Sequence, residues 1–174
     1  ECNEIYALVF KDPQQAIGLI KPLIEQYPDV PQPYNYLYSA YKHLNDQASA
    51  DHILQETLER FPDYLFARIA QANDCLDRGE IDRVAEIFDG KFELSMACPG
   101  REQYHSSEVL SFSAVMARYF CAKGEENKAE VYYKLMKKID PTHNTTLLVG
   151  QIIHPKFNKA IDWLRQLVAK TGSS

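Results

Sequence analysis

The sequence predicts an all-α fold made of antiparallel helix pairs. One pattern occurs twice at a spacing of 34 residues, first as Ala16-Ile20-Leu23-Pro28 and then as Ala50-Leu54-Thr57-Pro62. Between the two copies, Tyr34, Leu37 and Tyr41 are apolar at helical spacing, and Asn45 follows them at a turn. One period therefore holds a helix, a turn and a second helix. With 174 residues, of which 45% are apolar, the chain is long enough to bury a core.

The first helices are predicted from capping residues and turn residues. Residues 2–10 are read as the end of a first helix. Asp12 and Pro13 then start a second one, because Asp caps free backbone NH groups and Pro already has a helical φ. Asn45 and Gly79 are assigned to turns between paired helices, where the backbone needs a positive φ.

The period lengthens in the middle of the chain. Gly79 and Gly124, two predicted turn glycines, are 45 residues apart, which is eleven more than one period. Helix-breaking residues at 89–90 and 98–101 mark the position of the extra length. A longer helix is predicted to follow at about 106–123, with a carboxylate in its first turn.

A 34-residue helix-turn-helix unit that ends in a proline resembles the tetratricopeptide repeat. The resemblance divides residues 1–170 into about five repeats of one domain, at 1–30, 31–64, 65–98, 110–143 and 144–170, followed by a disordered tail at 171–174. The second and fourth repeats match the family pattern best. The resemblance implies a right-handed superhelix of helix pairs, whose first helices line a concave groove.

Candidate binding residues follow from the same register. The resemblance implies a peptide-binding or protein-binding surface formed by Asn35, Ser39, Lys42, His43, Phe66, Ile69, Asn73, Asp77 and Arg118. It also places Gln32, Leu76, Ser111, Ala114, Cys121 and Ala122 on this face. In such a groove, Asn73 can pair its amide with a peptide backbone and Arg118 can fork onto a carboxylate. Asp77 is in the last turn of its predicted helix, where a carboxylate opposes the helix dipole. Either some other benefit offsets this effect, or solvent screening makes it negligible.

The net charge of −5 is spread unevenly along the chain. Residues 1–100 hold 8 basic and 17 acidic side chains, whereas residues 101–174 hold 11 basic and 7 acidic ones. Nucleic-acid recognition needs a continuous basic track, so the acidic first part argues against an RNA-binding helical repeat. The basic second part is either a contact for an acidic partner or a solvated surface.

Metal, cofactor and membrane sites are not expected. The cysteines at 2, 75, 98 and 121 form no CxxC pair, and free thiols are favoured over disulfides or a metal site. No histidine pair has ligand spacing, and no phosphate-binding or catalytic motif occurs. The chain has no run of eighteen apolar residues that would cross a membrane. Free thiols make the cytoplasm the expected compartment.

The sequence therefore predicts a protein–protein interaction scaffold that is not an enzyme. It is expected to bind a peptide or protein segment in the concave groove, with no nucleic-acid or membrane partner. The alternative is a regulatory or substrate-docking domain of a larger enzyme or secretion complex. Self-association through the repeat ends is a further expectation.

Overall fold

The protein is all-α in the part of the chain that the structure describes. This computed structural model describes residues 2–155, with the side chains of 4–155; 76% of these residues are helical and none is in a strand. The helices are α1 (Cys2–Lys11), α2 (Pro13–Gln26), α3 (Pro31–His43), α4 (Gln47–Arg60), α5 (Leu65–Asp77), α6 (Ile81–Ile87), α7 (Leu94–Ala97), α8 (Ser106–Ala122), α9 (Glu126–Ile139) and α10 (Asn144–Ile153). The predicted fifth repeat beyond residue 155 and the tail at 171–174 lie outside this range. The right-handed superhelix stays a prediction.

Local capping sets where the first helices begin. Asp12 caps α2, since its carboxylate accepts a hydrogen bond from the Gln15 backbone NH at 3.0 Å, and Pro13 follows as the first helical residue. Asp46 caps α4 in the same way. The turns also match the prediction, because φ is 57° at Asn45 and 75° at Gly79. The helix boundaries predicted for this part of the chain are therefore confirmed.

Residues 1–71 form one compact unit, and its core lies between the first helices. One apolar cluster of this unit includes Val9, Ile17, Ile20, Tyr34 and Leu37, all buried. The two small residues of the repeated pattern, Ala16 and Ala50, are fully buried. Tyr38 packs half-buried against this cluster and against a second one around Leu54.

The second unit begins at residue 72, and α8 is its central helix. Its consecutive residues from 112 to 117 are all buried, so α8 is covered on every side. Leu110, Ala114 and Ala117 of α8 cluster with Met136 of α9 and Val149 of α10. None of the helices between residues 2 and 155 is long and apolar enough to cross a bilayer.

The extra length predicted in the middle of the chain is present. The helix α6 is only seven residues long, and Asp89 and Gly90 follow it with φ of 52° and 67°. The short α7 follows, and the irregular segments on either side of it are held by hydrogen bonds. In these, Tyr132 donates to the Phe92 carbonyl at 2.7 Å, and Tyr104 donates to the Cys98 carbonyl at 3.0 Å.

Candidate functional site

An apolar groove lies between α1, α2 and α3 in the first unit. Its volume is about 710 Å³, which is within the range of known ligand sites. It is lined by Glu4, Ile5 and Leu8 of α1, by Leu19, Ile20 and Leu23 of α2, by Tyr27 and Val30 of the following turn, and by Gln32, Pro33 and Tyr36 of α3. We call this feature the α1–α3 groove. Nine of these eleven side chains are apolar or aromatic, so the groove suits an apolar occupant.

The α1–α3 groove has a buried floor and exposed edges. Ile20 is fully buried and belongs to the core of the unit. Leu19, Tyr27 and Val30 are 46%, 50% and 43% exposed, although each has a large apolar side chain. Contiguous apolar surface of this kind marks an interaction site more often than isolated exposed residues do.

Polar groups at the groove are few. The Gln32 side-chain amide donates a hydrogen bond to the Tyr36 hydroxyl at 2.6 Å, so this pair is engaged within the wall. Glu4 carries the one charge among the lining side chains and is exposed. The surrounding unit is acidic as well, with 10 acidic and 5 basic side chains in residues 1–71 and a net charge of −5.

A second hollow of about 500 Å³ lies between α2, α3 and α4 in the same unit. Its walls carry the charged side chains Lys21, Glu25 and Glu56 together with His52. Because this surface is charged and open to water, it offers less apolar area to a partner than the α1–α3 groove.

The candidate residues on α3 lie outside the α1–α3 groove, apart from Gln32. Asn35 uses its backbone carbonyl to accept a hydrogen bond from the Ser39 hydroxyl at 3.0 Å. Lys42 donates to the Gln47 side chain at 2.9 Å. The His43 ring lies 4.8 Å from the Phe10 ring in an edge-on contact.

The apolar candidates on α5 are packed to different degrees. Ile69 is only 6% exposed, so it has little surface for a partner. Phe66 is half-buried, and its ring lies 5.9 Å from that of Tyr64.

Three candidates in the second unit come together as one polar cluster. The Arg118 guanidinium donates to the Asn73 side-chain oxygen at 2.6 Å and to the Asp77 carboxylate at 2.5 Å. The fork that the sequence assigns to a partner carboxylate is therefore engaged by Asp77. A partner carboxylate would have to displace this bond before it could pair with Arg118.

The sequence did not predict the apolar side chains at the edges of the α1–α3 groove. Leu19 is off the apolar face of α2 that carries Ile17 and Ile20, and Tyr27 and Val30 flank the proline of a turn. Large apolar residues at such solvent-facing positions are the signal that would have found this site.

Comparisons with known proteins give no assignment. No protein-family model matches the chain, and no curated protein or solved structure matches it either. In the part of the chain that is described, no group of three or more His, Cys, Asp or Glu residues is arranged to hold a metal ion. The resemblance to the tetratricopeptide repeat and the function that it implies therefore stay predictions.

Proposed function

We propose that this protein is a non-catalytic interaction module that binds a segment of a partner protein in the α1–α3 groove. The observation that supports this function is the exposure of Leu19, Tyr27 and Val30 around an apolar groove. Removing such side chains from water is favourable, at about 25 cal/mol for each Å² of apolar surface. The binding of a partner that covers all three side chains would be favoured by this free energy.

The class of function is the one that the sequence predicts, but the proposed site is different. Ile69 is buried, and Arg118 is bonded to Asn73 and Asp77. These residues offer a partner less accessible surface than the edges of the α1–α3 groove do.

A charge placed at the groove edge tests the proposed function. Leu19→Glu puts a carboxylate where an apolar partner has to pack, and the exposure of Leu19 means that folding is preserved. Leu44→Glu is the matched control, because Leu44 is 39% exposed in the same unit and does not line the groove. Both variants would be melted first, and the two melting temperatures are expected to match that of the wild type.

The binding measurement uses a partner captured from the source cell and then purified. Its affinity for the three proteins would be determined by titration calorimetry. We expect Leu19→Glu to weaken binding by about tenfold or more, which corresponds to 1.4 kcal/mol, and Leu44→Glu to leave it unchanged. Equal affinity of Leu19→Glu and the wild type would show that the partner binds elsewhere.

A further inference from the structure

We infer that the segment bound in the α1–α3 groove is an amphipathic α-helix of another protein, with basic residues beside its apolar face. This inference rests on the proposed function and specifies the chemistry of the partner.

The groove walls offer an occupant very little hydrogen bonding. They are built from helices whose backbone groups are paired internally, and the Gln32 amide already donates to Tyr36. In the first turn of α3, Pro31 and Pro33 have no backbone NH to donate. At the turn before it, the Val30 NH donates to the Tyr27 carbonyl at 3.1 Å.

This lack of hydrogen-bonding groups in the walls favours one backbone conformation of the bound segment. An extended segment would bury its own NH and C=O groups against apolar side chains without pairing them, at a cost in free energy. No strand edge exists between residues 2 and 155 onto which such a segment could add. A helix satisfies its backbone internally and needs only an apolar face.

The size of the groove fits the side chains of such a face. About 710 Å³ is room for several large apolar groups. Helices bound in grooves present anchors at positions i, i+4 and i+7 along one side. Leu19, Tyr27 and Val30 are the exposed contacts available to these anchors, above the buried Ile20.

Charge complementarity predicts the sign of the charged residues beside the apolar face of the bound helix. The groove wall carries Glu4, Asp29 is exposed next to Val30, and residues 1–71 have a net charge of −5. A field of this sign speeds the association of a basic segment and disfavours an acidic one.

Peptide selection tests the inference directly. Sixteen-residue peptides (about four helical turns) from a randomised displayed library would be selected on the full chain and counter-selected on Leu19→Glu. We expect the selected sequences to carry large apolar residues at i, i+4 and i+7 together with Lys or Arg. Each peptide would then be synthesised in three forms, namely unchanged, with a central proline, and with its basic residues replaced by Glu. We expect the second and third forms to bind about tenfold more weakly or worse.

The outcomes separate the inference from the proposed function. Peptides that need Leu19 but tolerate the central proline would overturn the helical occupant and leave segment binding in place. Peptides that need Leu19 but are acidic would overturn the basic flank. A library that yields no peptide able to distinguish the wild type from Leu19→Glu would count against the proposed function itself. Sedimentation of the chain alone is a further measurement. A dimer that Leu19→Glu abolishes would identify a second copy of the chain as the occupant of the groove and overturn the inference.

Discussion

At the scale of single residues, Arg118 shows why a groove position assigned by register acquires a structural role. Asp77 ends α5, where its carboxylate opposes the helix dipole, and the bond from Arg118 compensates for this. Of the two explanations that the sequence leaves open for Asp77, some other benefit or solvent screening, the bond from Arg118 supports the first. Asn73 accepts from the same guanidinium, so one side chain of α8 holds two side chains of α5.

Removing Arg118 is therefore expected to cost stability. Arg118→Ala should lower the free energy of unfolding by about 1 kcal/mol, because it removes two charge-assisted hydrogen bonds from a partly exposed site. Lys123→Ala is the control, since the Lys123–Asp82 pair of the same unit is more exposed and should contribute less to stability. Urea unfolding of both variants measures the difference. An Arg118→Ala protein as stable as the wild type would contradict a structural role for these bonds.

Glu108 gives a prediction about pH. Both of its carboxylate oxygens accept from the Arg101 guanidinium at 2.8 Å, and one also accepts from the His105 backbone NH at 2.9 Å. The hydrogen bonds from Arg101, more than that from His105, hold the pKa of Glu108 below its usual value. A lowered carboxyl pKa adds stability above the unfolded pKa of about 4.3, and this stability is lost as the pH falls through the folded pKa.

Glu108→Gln should consequently be less stable than the wild type at neutral pH. Near pH 3 the difference in stability between the wild type and Glu108→Gln should shrink. At this pH the Glu108 carboxyl of the unfolded wild-type chain is largely protonated, so the stability gained from its lowered folded-state pKa is being lost. Glu102→Gln, an exposed position in the same segment, serves as the control. Urea unfolding at the two pH values provides the comparison, and a difference that does not change with pH would exclude the linkage.

At the scale of helices, the contact between α9 and α10 depends on Gly150. A Cβ atom at this position would lie 2.5 Å from the Tyr133 hydroxyl oxygen. The Tyr133 ring is also in contact with Lys137, whose ammonium lies 4.5 Å from the ring centre, and with the His154 ring at 5.5 Å. The ring therefore cannot move without breaking other contacts.

Two glycine substitutions of opposite effect test this packing. Gly150→Ala should destabilise the protein by about 1–3 kcal/mol through overpacking. Gly18→Ala in α2, where nothing lies within 4 Å of the added Cβ, should stabilise it by about 0.5–1 kcal/mol, since alanine favours a helix. Thermal melts compare the two. A stabilising Gly150→Ala would mean that α9 and α10 pack more loosely than the structure shows.

At the scale of the whole molecule, the distribution of charge argues against a nucleic-acid partner. The first 71 residues carry −5 and the last 74 carry +4, so no basic track runs through the chain. We expect single-stranded RNA to show no saturable binding in fluorescence anisotropy, measured with rising KCl. Binding that is tight at low salt and weakens steeply with salt would contradict this, because such behaviour reports phosphate contacts.

The helices and turns in the described residues were predictable because the interactions that form them are local. Asp12 reaches an NH only three residues away, and Asn45 and Gly79 adopt a positive φ within their own residue. Two caps were missed, since His105 and His143 accept backbone hydrogen bonds in place of the usual Ser, Thr, Asp or Asn. Histidine is not a common capping residue, so spacing alone did not identify them.

What the sequence determined by itself is the helical class, the turn positions and the inserted segment before α8. Only the tertiary structure decided which side chains meet. Arg118 and Asn73 are 45 residues apart in the chain, and the α1–α3 groove joins Ile5 of α1 to Tyr36 of α3. The helical pattern of a sequence shows which face of a helix is apolar, but the packing of neighbouring helices decides which side chains, on that face or beside it, are covered. For this reason Ile69 is buried while Leu19 is left at the edge of a groove.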